Sequence, residues 1–150
     1  MKIQKTELAA KLNQIKGVVP KKTTMPILQG ILVKEGYLIA NNLEMTVKAK
    51  LEGTEDECFI IPERAFDLIN NLPDGEIDIT ISGGNTMTIK ADKIKNKYQT
   101  MDPGPFPVSD IDGEGSEFTI KAGLLLESVR RVSYAIPQQA GNVTMSTMCL

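Results

Sequence analysis

Basic and hydroxyl side chains lie together beside the predicted helices of this sequence, and they are residue types that hold phosphate groups. Lys21 and Lys22 stand in a polar loop with Thr23 and Thr24. Arg64 falls in the first turn of a predicted helix, where a cation opposes the helix dipole. An anion from outside the protein would account for a cation at that position. The alternative is that each of these side chains is an ordinary solvated surface charge.

A second polar loop occupies the corresponding place near the end of the chain. It contains Gln138 and Gln139, and the helix before it carries Arg130 and Arg131. Lysines, hydroxyls and amides position a protein on a nucleic-acid backbone without reading its bases. Because the two loops follow similar helices, we interpret the polar side chains as one repeated, phosphate-contacting surface.

Residues for enzyme chemistry are missing from the sequence. It has no histidine, and its two cysteines, Cys58 and Cys149, lack metal-ligand spacing. Gly83-Gly84 precedes a predicted strand and not a helix, so it predicts a hairpin turn and not a phosphate loop. The carboxylates form no converging set of two or three. We predict no enzyme, no catalytic residue, no metal and no cofactor.

The charge of the chain is small in total but unevenly placed. The formal net charge is −2, yet residues 1–24 carry six lysines and one glutamate. Residues 108–117 carry four acidic side chains and no basic one. This arrangement permits a local basic face on an acidic body. No secretory or membrane-spanning segment is predicted, and the two cysteines suggest a reducing, cytoplasmic location.

The first 33 residues recur later in the chain with the same apolar pattern. Shifting the sequence by 117 positions places Phe118–Leu150 on Met1–Val33 without a gap. Leu8, Leu12 and Ile15 then coincide with Leu125, Val129 and Val132. The alternative is two unrelated strand-helix-strand segments of similar period, since a repeat found in one sequence is a weak signal. We interpret the second copy as the opening of another domain.

Residues 1–100 predict an α+β domain built from two successive β-α-β-β-β units. A helix over 6–16 has Thr6 as its candidate N-cap and Gly17 as its left-handed terminator, and a second helix covers 63–72. The remaining segments predict strands at 1–4, 27–34, 37–40, 43–51, 58–61, 76–81, 87–91 and 93–100. We expect the two helices to pair on one face of antiparallel sheets. Residues 101–117 predict an interdomain linker, and Phe106 within it is expected to fold back onto the first domain. Residues 118–150 predict the truncated start of a second domain.

Several short motifs occur in an order that is similar to a known family. They are Thr24-Met25-Pro26-Ile27-Leu28, Asn42-Leu43-Glu44, Pro62-x-Arg64, Leu72-Pro73-Asp74-Gly75, Phe106-Pro107 and Val129-Arg130-Arg131-Val132-Ser133-Tyr134-Ala135. The ordered set resembles the bacterial DNA polymerase III β subunits, the replicative sliding clamps. The resemblance implies a DNA-clamp fold and a non-catalytic processivity factor, whose full-length homodimer ring encircles duplex DNA.

The resemblance also implies roles for particular residues. Lys22, Arg64 and Gln139 match contacts to DNA, which places Lys21 and Gln138 beside such contacts. Lys93, Lys95 and Asn96 match the edge strand at the subunit interface. The sequence departs from the family at Asn41-Asn42, at Val143-Thr144 and at Asn96, where other residue types are usual.

The resemblance also implies protein partners, but this chain contains almost none of the site that would bind them. DNA polymerase and the clamp loader bind a cleft between the second and third domains, and almost none of that cleft is present. We therefore expect a truncated or partial clamp that is a monomer, or a weak non-native dimer, in dilute solution. The alternative is a clamp-derived protein-interaction module that does not encircle DNA.

Overall fold

A computed structural model describes residues 1–83, 85–108, 119–137 and 147–148 of the chain. The chain divides into two compact units, Met1–Asp110 and Ile111–Leu150. The elements of the first unit are β1 (Lys2–Gln4), α1 (Lys5–Ile15), β2 (Gly30–Lys34), β3 (Tyr37–Asn41), β4 (Thr46–Lys50), β5 (Cys58–Pro62), α2 (Phe66–Asn71), β6 (Glu76–Ser82), β7 (Thr86–Ala91) and β8 (Ile94–Gln99). The described part of the second unit contains α3 (Ala122–Val132).

The first unit has two four-stranded antiparallel sheets that exchange their first strands. One sheet has the order β1-β6-β7-β8 and the other β4-β3-β2-β5. Strand β1 therefore leaves its own β-α-β-β-β unit and pairs with β6, with Ile3 opposite Ile77. Strand β5 makes the reciprocal exchange with β2, with Ile60 opposite Leu32. The α+β architecture expected from the sequence is confirmed. The exchange links the two β-α-β-β-β units into one domain within Met1–Asp110.

The apolar stripes of both helices are buried against the sheets. Leu8, Leu12 and Ile15 of α1 are fully buried. On the second helix and its ends, Phe66, Ile69 and Leu72 are buried in the same cluster. That cluster also holds Ile31 and Val33 of one sheet together with Ile77, Ile79 and Ile89 of the other. The predicted pairing of the helices over the sheets is thus confirmed.

A second apolar cluster covers the opposite face of the β4-β3-β2-β5 sheet. Leu32 and Ile60 point into this cluster and meet Phe106 from the segment after β8. Phe106 is buried, as expected from the sequence. Two hydrogen bonds hold the same segment: Thr100 Oγ1 donates to Ile60 O at 2.6 Å, and Asn41 Nδ2 donates to Pro107 O at 3.0 Å. The sheet is therefore covered on both faces.

The boundaries of α1 differ from the sequence prediction at both ends. The helix begins at Lys5 with Gln4 as its N-cap, and no side chain caps it, so Thr6 was wrong as the N-cap. At the other end the chain continues as a 3₁₀ turn over Lys16–Val18. Gly17 is therefore not the left-handed terminator expected, because the tighter turn satisfies the last carbonyls instead.

Two predicted strands are shorter than expected. Pro26–Gln29 forms a 3₁₀ turn closed by Leu28 N donating to Met25 O at 3.0 Å, and only Gly30–Lys34 is strand. Residues 42–45 form a turn before β4, with Leu43 at a positive φ of 74°. Ile27 and Leu28 are buried as strand residues would be, but burial alone does not distinguish a turn from a strand.

The second unit confirms the helical part of the repeat. Its helix α3 and the following 3₁₀ turn, Ser133–Ala135, occupy the positions of α1 and Lys16–Val18 after the shift of 117. The stripe residues Leu125 and Val129 are half-buried, and Val132 is 48% exposed. The repeat implies a strand at the start of the second copy, matching β1, but residues 119–121 are not strand, so that expectation is wrong there. Residues 2–4 form a strand because they pair with β6, and the described residues of the second unit contain no strand that could pair with 119–121 in the same way.

Replacing Leu12 by alanine tests the buried helix stripe. Leu12 is fully buried, so we expect the free energy of unfolding to fall by about 2–5 kcal/mol. The matched control is Gln14→Ala on the exposed side of the same helix, which should change it by less than about 0.5 kcal/mol. Urea unfolding followed by circular dichroism measures both. Equal effects of the two substitutions would contradict the packing described here.

Candidate nucleic-acid interface

The loop after α1 presents two lysines on an anchored backbone. Val19 is buried at its start, and Lys21 and Lys22 are exposed. Gln29 Nε2 donates a hydrogen bond to Lys21 O at 3.2 Å, and Met25 N donates to Thr23 Oγ1 at 3.1 Å. The backbone is held at both sides of the pair, so the ammonium groups project from a defined position into solvent.

Arg64 lies close to the same loop through a shared neighbour. It occupies the 3₁₀ turn Glu63–Ala65 between β5 and α2, where Ala65 is buried and Arg64 is exposed. Arg64 and Gln29 line one cleft of about 190 Å³. Because Gln29 also binds the backbone of Lys21, the structure places Arg64 and the lysine loop in one region of the surface.

A neighbouring cleft of about 300 Å³ places lysines and carboxylates in its walls. Lys16 and Lys21 line it from the end of α1 and the loop, and Glu63 and Asp67 line it from the start of α2. All four side chains belong to exposed residues. Phe66 contributes to the cleft between the two carboxylates. This mixed cleft is the most distinctive electrostatic feature beside the candidate phosphate contacts.

The candidate cations are not neutralised by ion pairs within the described ranges. Ion pairs there hold Lys2 to Glu76, Lys5 to Asp74, Lys34 to Glu35 and Lys50 to Glu52. In the same part of the chain, none holds Lys16, Lys21, Lys22 or Arg64. These four charges are therefore available to an anion from solution.

The residues proposed for a subunit interface lie along a sheet edge. Strand β8 pairs only with β7, so its other side is a free edge within the described sheet. Lys95 and Asn96 lie on this strand, and Lys93 lies in the turn before it. Lys95 stands opposite Lys90 on β7, and Lys97 is exposed two residues further. Lysines on an edge strand oppose strand-to-strand association with a random partner.

The candidate residues of the second unit are only partly described. Arg131 Nη2 forms an exposed ion pair with Glu127 Oε1 at 2.6 Å, one helical turn away, and Arg130 is exposed. Gln138 and Gln139 lie outside the described residues. For the second unit, the structure therefore leaves the polar loop as a prediction.

Sequence reasoning missed four members of this surface, which are Lys16, Gln29, Glu63 and Asp67. Gln29 was assigned to a strand interior, although an amide just after Pro26 and beside a basic loop is a signal for a loop anchor. Glu63 and Asp67 are four residues apart, the spacing that places two side chains on one side of a helical segment. Their position opposite Lys16 and Lys21 depends on the tertiary fold, so no local pattern contains it.

Two searches of the described residues bear on other functions. No group of three or more histidine, cysteine, aspartate or glutamate side chains in that part of the chain is placed to hold a metal ion. None of the helices there is long and apolar enough to cross a bilayer.

Known proteins similar to this chain share one description. The family model described as DNA polymerase III beta subunit, N-terminal domain, matches residues 1–110. A beta sliding clamp of Pseudomonas aeruginosa is 28% identical over 158 residues, covering 99% of this chain and 42% of the relative. A beta sliding clamp of Chlamydia muridarum is 23% identical over 155 residues, covering 99% of this chain and 42% of the relative. The chain thus spans about two fifths of the length of these relatives.

Solved structures of similar proteins have the same fold. The DNA polymerase III subunit beta from Pseudomonas aeruginosa aligns with a TM-score of 0.83 at 29% identity, over 97% of this chain and 42% of that one. The DNA polymerase III beta subunit from Thermotoga maritima aligns with a TM-score of 0.72 at 26% identity, over 91% of this chain and 39% of that one. The alignments extend over nearly all of the present sequence.

Replacing Gln29 by alanine tests how the lysine loop is held. The variant loses the hydrogen bond to Lys21 O, so backbone amides of residues 21–24 should exchange with solvent faster. The global free energy of unfolding should fall by less than about 1.5 kcal/mol, the net worth of one hydrogen bond. Hydrogen exchange measured by NMR reports both quantities, with Gln14→Ala as the control. Unchanged exchange in the loop would show that Gln29 does not position it.

Proposed function

Because the chain belongs to the family of the DNA polymerase III β subunit N-terminal domain, we propose that it is the N-terminal part of a sliding clamp. Such a protein is a non-catalytic processivity factor of the cytoplasmic replicative polymerase and surrounds duplex DNA without reading its sequence. In this proposal residues 1–100 form the first clamp domain, 101–117 the interdomain linker and 118–150 the start of a second domain. The activity of the whole protein is part of the proposal, since the chain spans only two fifths of its relatives.

One observation carries the proposal: the cations beside the paired helices are unneutralised and are anchored in one region. Lys21, Lys22 and Arg64 project to solvent and take part in no ion pair in the described chain. Ammonium and guanidinium groups without a base-reading element contact phosphates, which fix position but carry no sequence information. Gln138 and Gln139 would extend this contact in the second domain.

The ring and its partners complete the proposal. In a full-length protein, the edge at Lys93, Lys95 and Asn96 would meet the other protomer of a homodimer. DNA polymerase and the clamp loader would bind the cleft between later domains. No cofactor and no metal have a part in this function.

A second candidate, a clamp-derived protein-interaction module, is favoured by the turn before β4. Leu43 there is 61% exposed and Met45 is 55% exposed. Leu43 also adopts a positive φ of 74°, which bulky residues rarely do. Asn41 Oδ1 accepts a hydrogen bond from Leu43 N at 2.5 Å, and Asn42 Oδ1 accepts one from Met45 N at 2.7 Å. An apolar pair held outward in this way suits contact with a protein more than contact with DNA.

A salt series of duplex binding separates the two candidates. For three phosphate contacts, the slope of log affinity against log salt concentration should be about −3. The dissociation constant should be about 10⁻⁴ M at physiological salt. Replacing Lys21 and Lys22 by alanine should flatten the slope by about 2. Fluorescence anisotropy with two unrelated duplexes measures affinity and sequence preference together.

The matched control replaces two lysines that already form ion pairs, Lys34 and Lys50, by alanine. Both double variants remove the same charge, so a specific surface predicts a larger effect for Lys21 and Lys22. Equal slopes for the two double variants, or unequal affinity for the two duplexes, would reject the proposed DNA-facing surface and favour the interaction module.

A further inference from the structure

The cleft between the end of α1 and the start of α2 contains two carboxylates beside the proposed phosphate contacts. Glu63 and Asp67 line it opposite Lys16 and Lys21, and Glu63 is also the sequence neighbour of Arg64. Glu63 and Arg64 line the adjoining cleft as well, so this carboxylate faces both basic groups. A phosphate that approaches either group therefore also approaches a negative charge.

The carboxylates of Glu63 and Asp67 lie near enough to the cations to repel an approaching phosphate, but they do not pair with the cations and so do not neutralise them. No ion pair joins them to Lys16, Lys21 or Arg64 within the described residues, so the cations keep their capacity for phosphate. Glu63 and Asp67 line one cleft of about 300 Å³ together with Lys16 and Lys21, and a cleft of that volume is comparable in width to the screening distance of about 8–10 Å at physiological ionic strength. Each carboxylate therefore repels a phosphate group that approaches the lysines.

We propose that Glu63 and Asp67 set an upper limit on the affinity of the Lys16, Lys21 and Arg64 surface for duplex phosphates. This inference rests on the proposed function. A ring that holds DNA by enclosing it gains nothing from tight phosphate contacts, because tight contacts slow its movement along the duplex. The two carboxylates keep the contacts loose without removing the cations that centre the duplex.

A purely structural role for these acids makes a different prediction. Glu63 and Asp67 lie in the first turns of the Glu63–Ala65 and α2 segments, where the helix dipole stabilises anions. If that were their whole contribution, neutralising them would lower stability and change DNA affinity no more than neutralising any two distant acids. Affinity and stability therefore have to be measured on the same variants.

The test compares the double variant Glu63→Gln/Asp67→Asn with the control Glu7→Gln/Glu44→Gln, which changes the net charge equally. Glu7 also lies in the first turn of a helix, and about nine residues at 1.5 Å per residue separate it from Lys16, more than one screening length. Anisotropy titrations with a fluorescent duplex are run across a salt series for both variants and the unaltered chain. Thermal unfolding checks that each variant is folded.

Freeing one further phosphate contact should steepen the salt slope by about 1 and raise affinity about eightfold at about 0.1 M salt. The control should stay within about twofold, because neither Glu7 nor Glu44 lines either cleft of the basic surface. Adding Lys21→Ala and Lys22→Ala to the first variant should remove most of the gain.

The outcomes separate this inference from the function on which it rests. If the unaltered chain binds duplex through Lys21 and Lys22 but neutralising Glu63 and Asp67 has no more effect than the control, the inference alone is wrong. If duplex binding by the unaltered chain is absent or indifferent to Lys21 and Lys22, the proposed function and the inference both fail.

Discussion

The burial of two helix stripes against the same two sheets is the interaction on which the rest of the structure depends. Leu12 on α1 and Ile69 on α2 are both fully buried in one cluster. With the apolar sides turned inward, the polar sides of the two helices lie next to each other in solvent. Asn13 Nδ2 donates to Asn70 Oδ1 at 2.9 Å across them. The lysine loop and Arg64 are placed by the ends of this helix pair, so the proposed DNA-facing surface follows from the core.

The sequence predicted those parts of the fold that have a local period. The helices α1 and α3 follow from apolar spacing, and the structure confirms both as helices, with the stripe buried in α1. The exchange of β1 and β5 was not predicted, because alternation identifies a strand without naming its partner. The 3₁₀ turn at Pro26–Gln29 was mistaken for strand, since Ile27 and Leu28 are buried as a strand would bury them.

The candidate site was predicted by residue type and not by arrangement. Lys21, Lys22 and Arg64 stood out because cations beside helix ends call for an anion. Their link through Gln29 joins a loop, a 3₁₀ turn and the start of α2, which only the folded chain brings together. The opposition of Glu63 to Lys16 has the same origin: each residue is ordinary alone, and the cleft between them arises from packing α2 against α1.

The strand exchange has a consequence for synthesis on the ribosome. Met1 N donates to Ile79 O at 2.8 Å, so the start of β1 is completed by residues 78 positions later. A ribosome releases the chain from its N-terminus, and contacts between distant residues form late. Until about 80 residues have emerged, the nascent chain carries an unpaired β1, and the α1 stripe lacks the cover that Ile77 and Ile79 of β6 give it. The β2-β3 hairpin can form early from neighbouring residues, but the domain can close only after nearly all of it has been synthesised. Before closure, apolar surface is open to a chaperone.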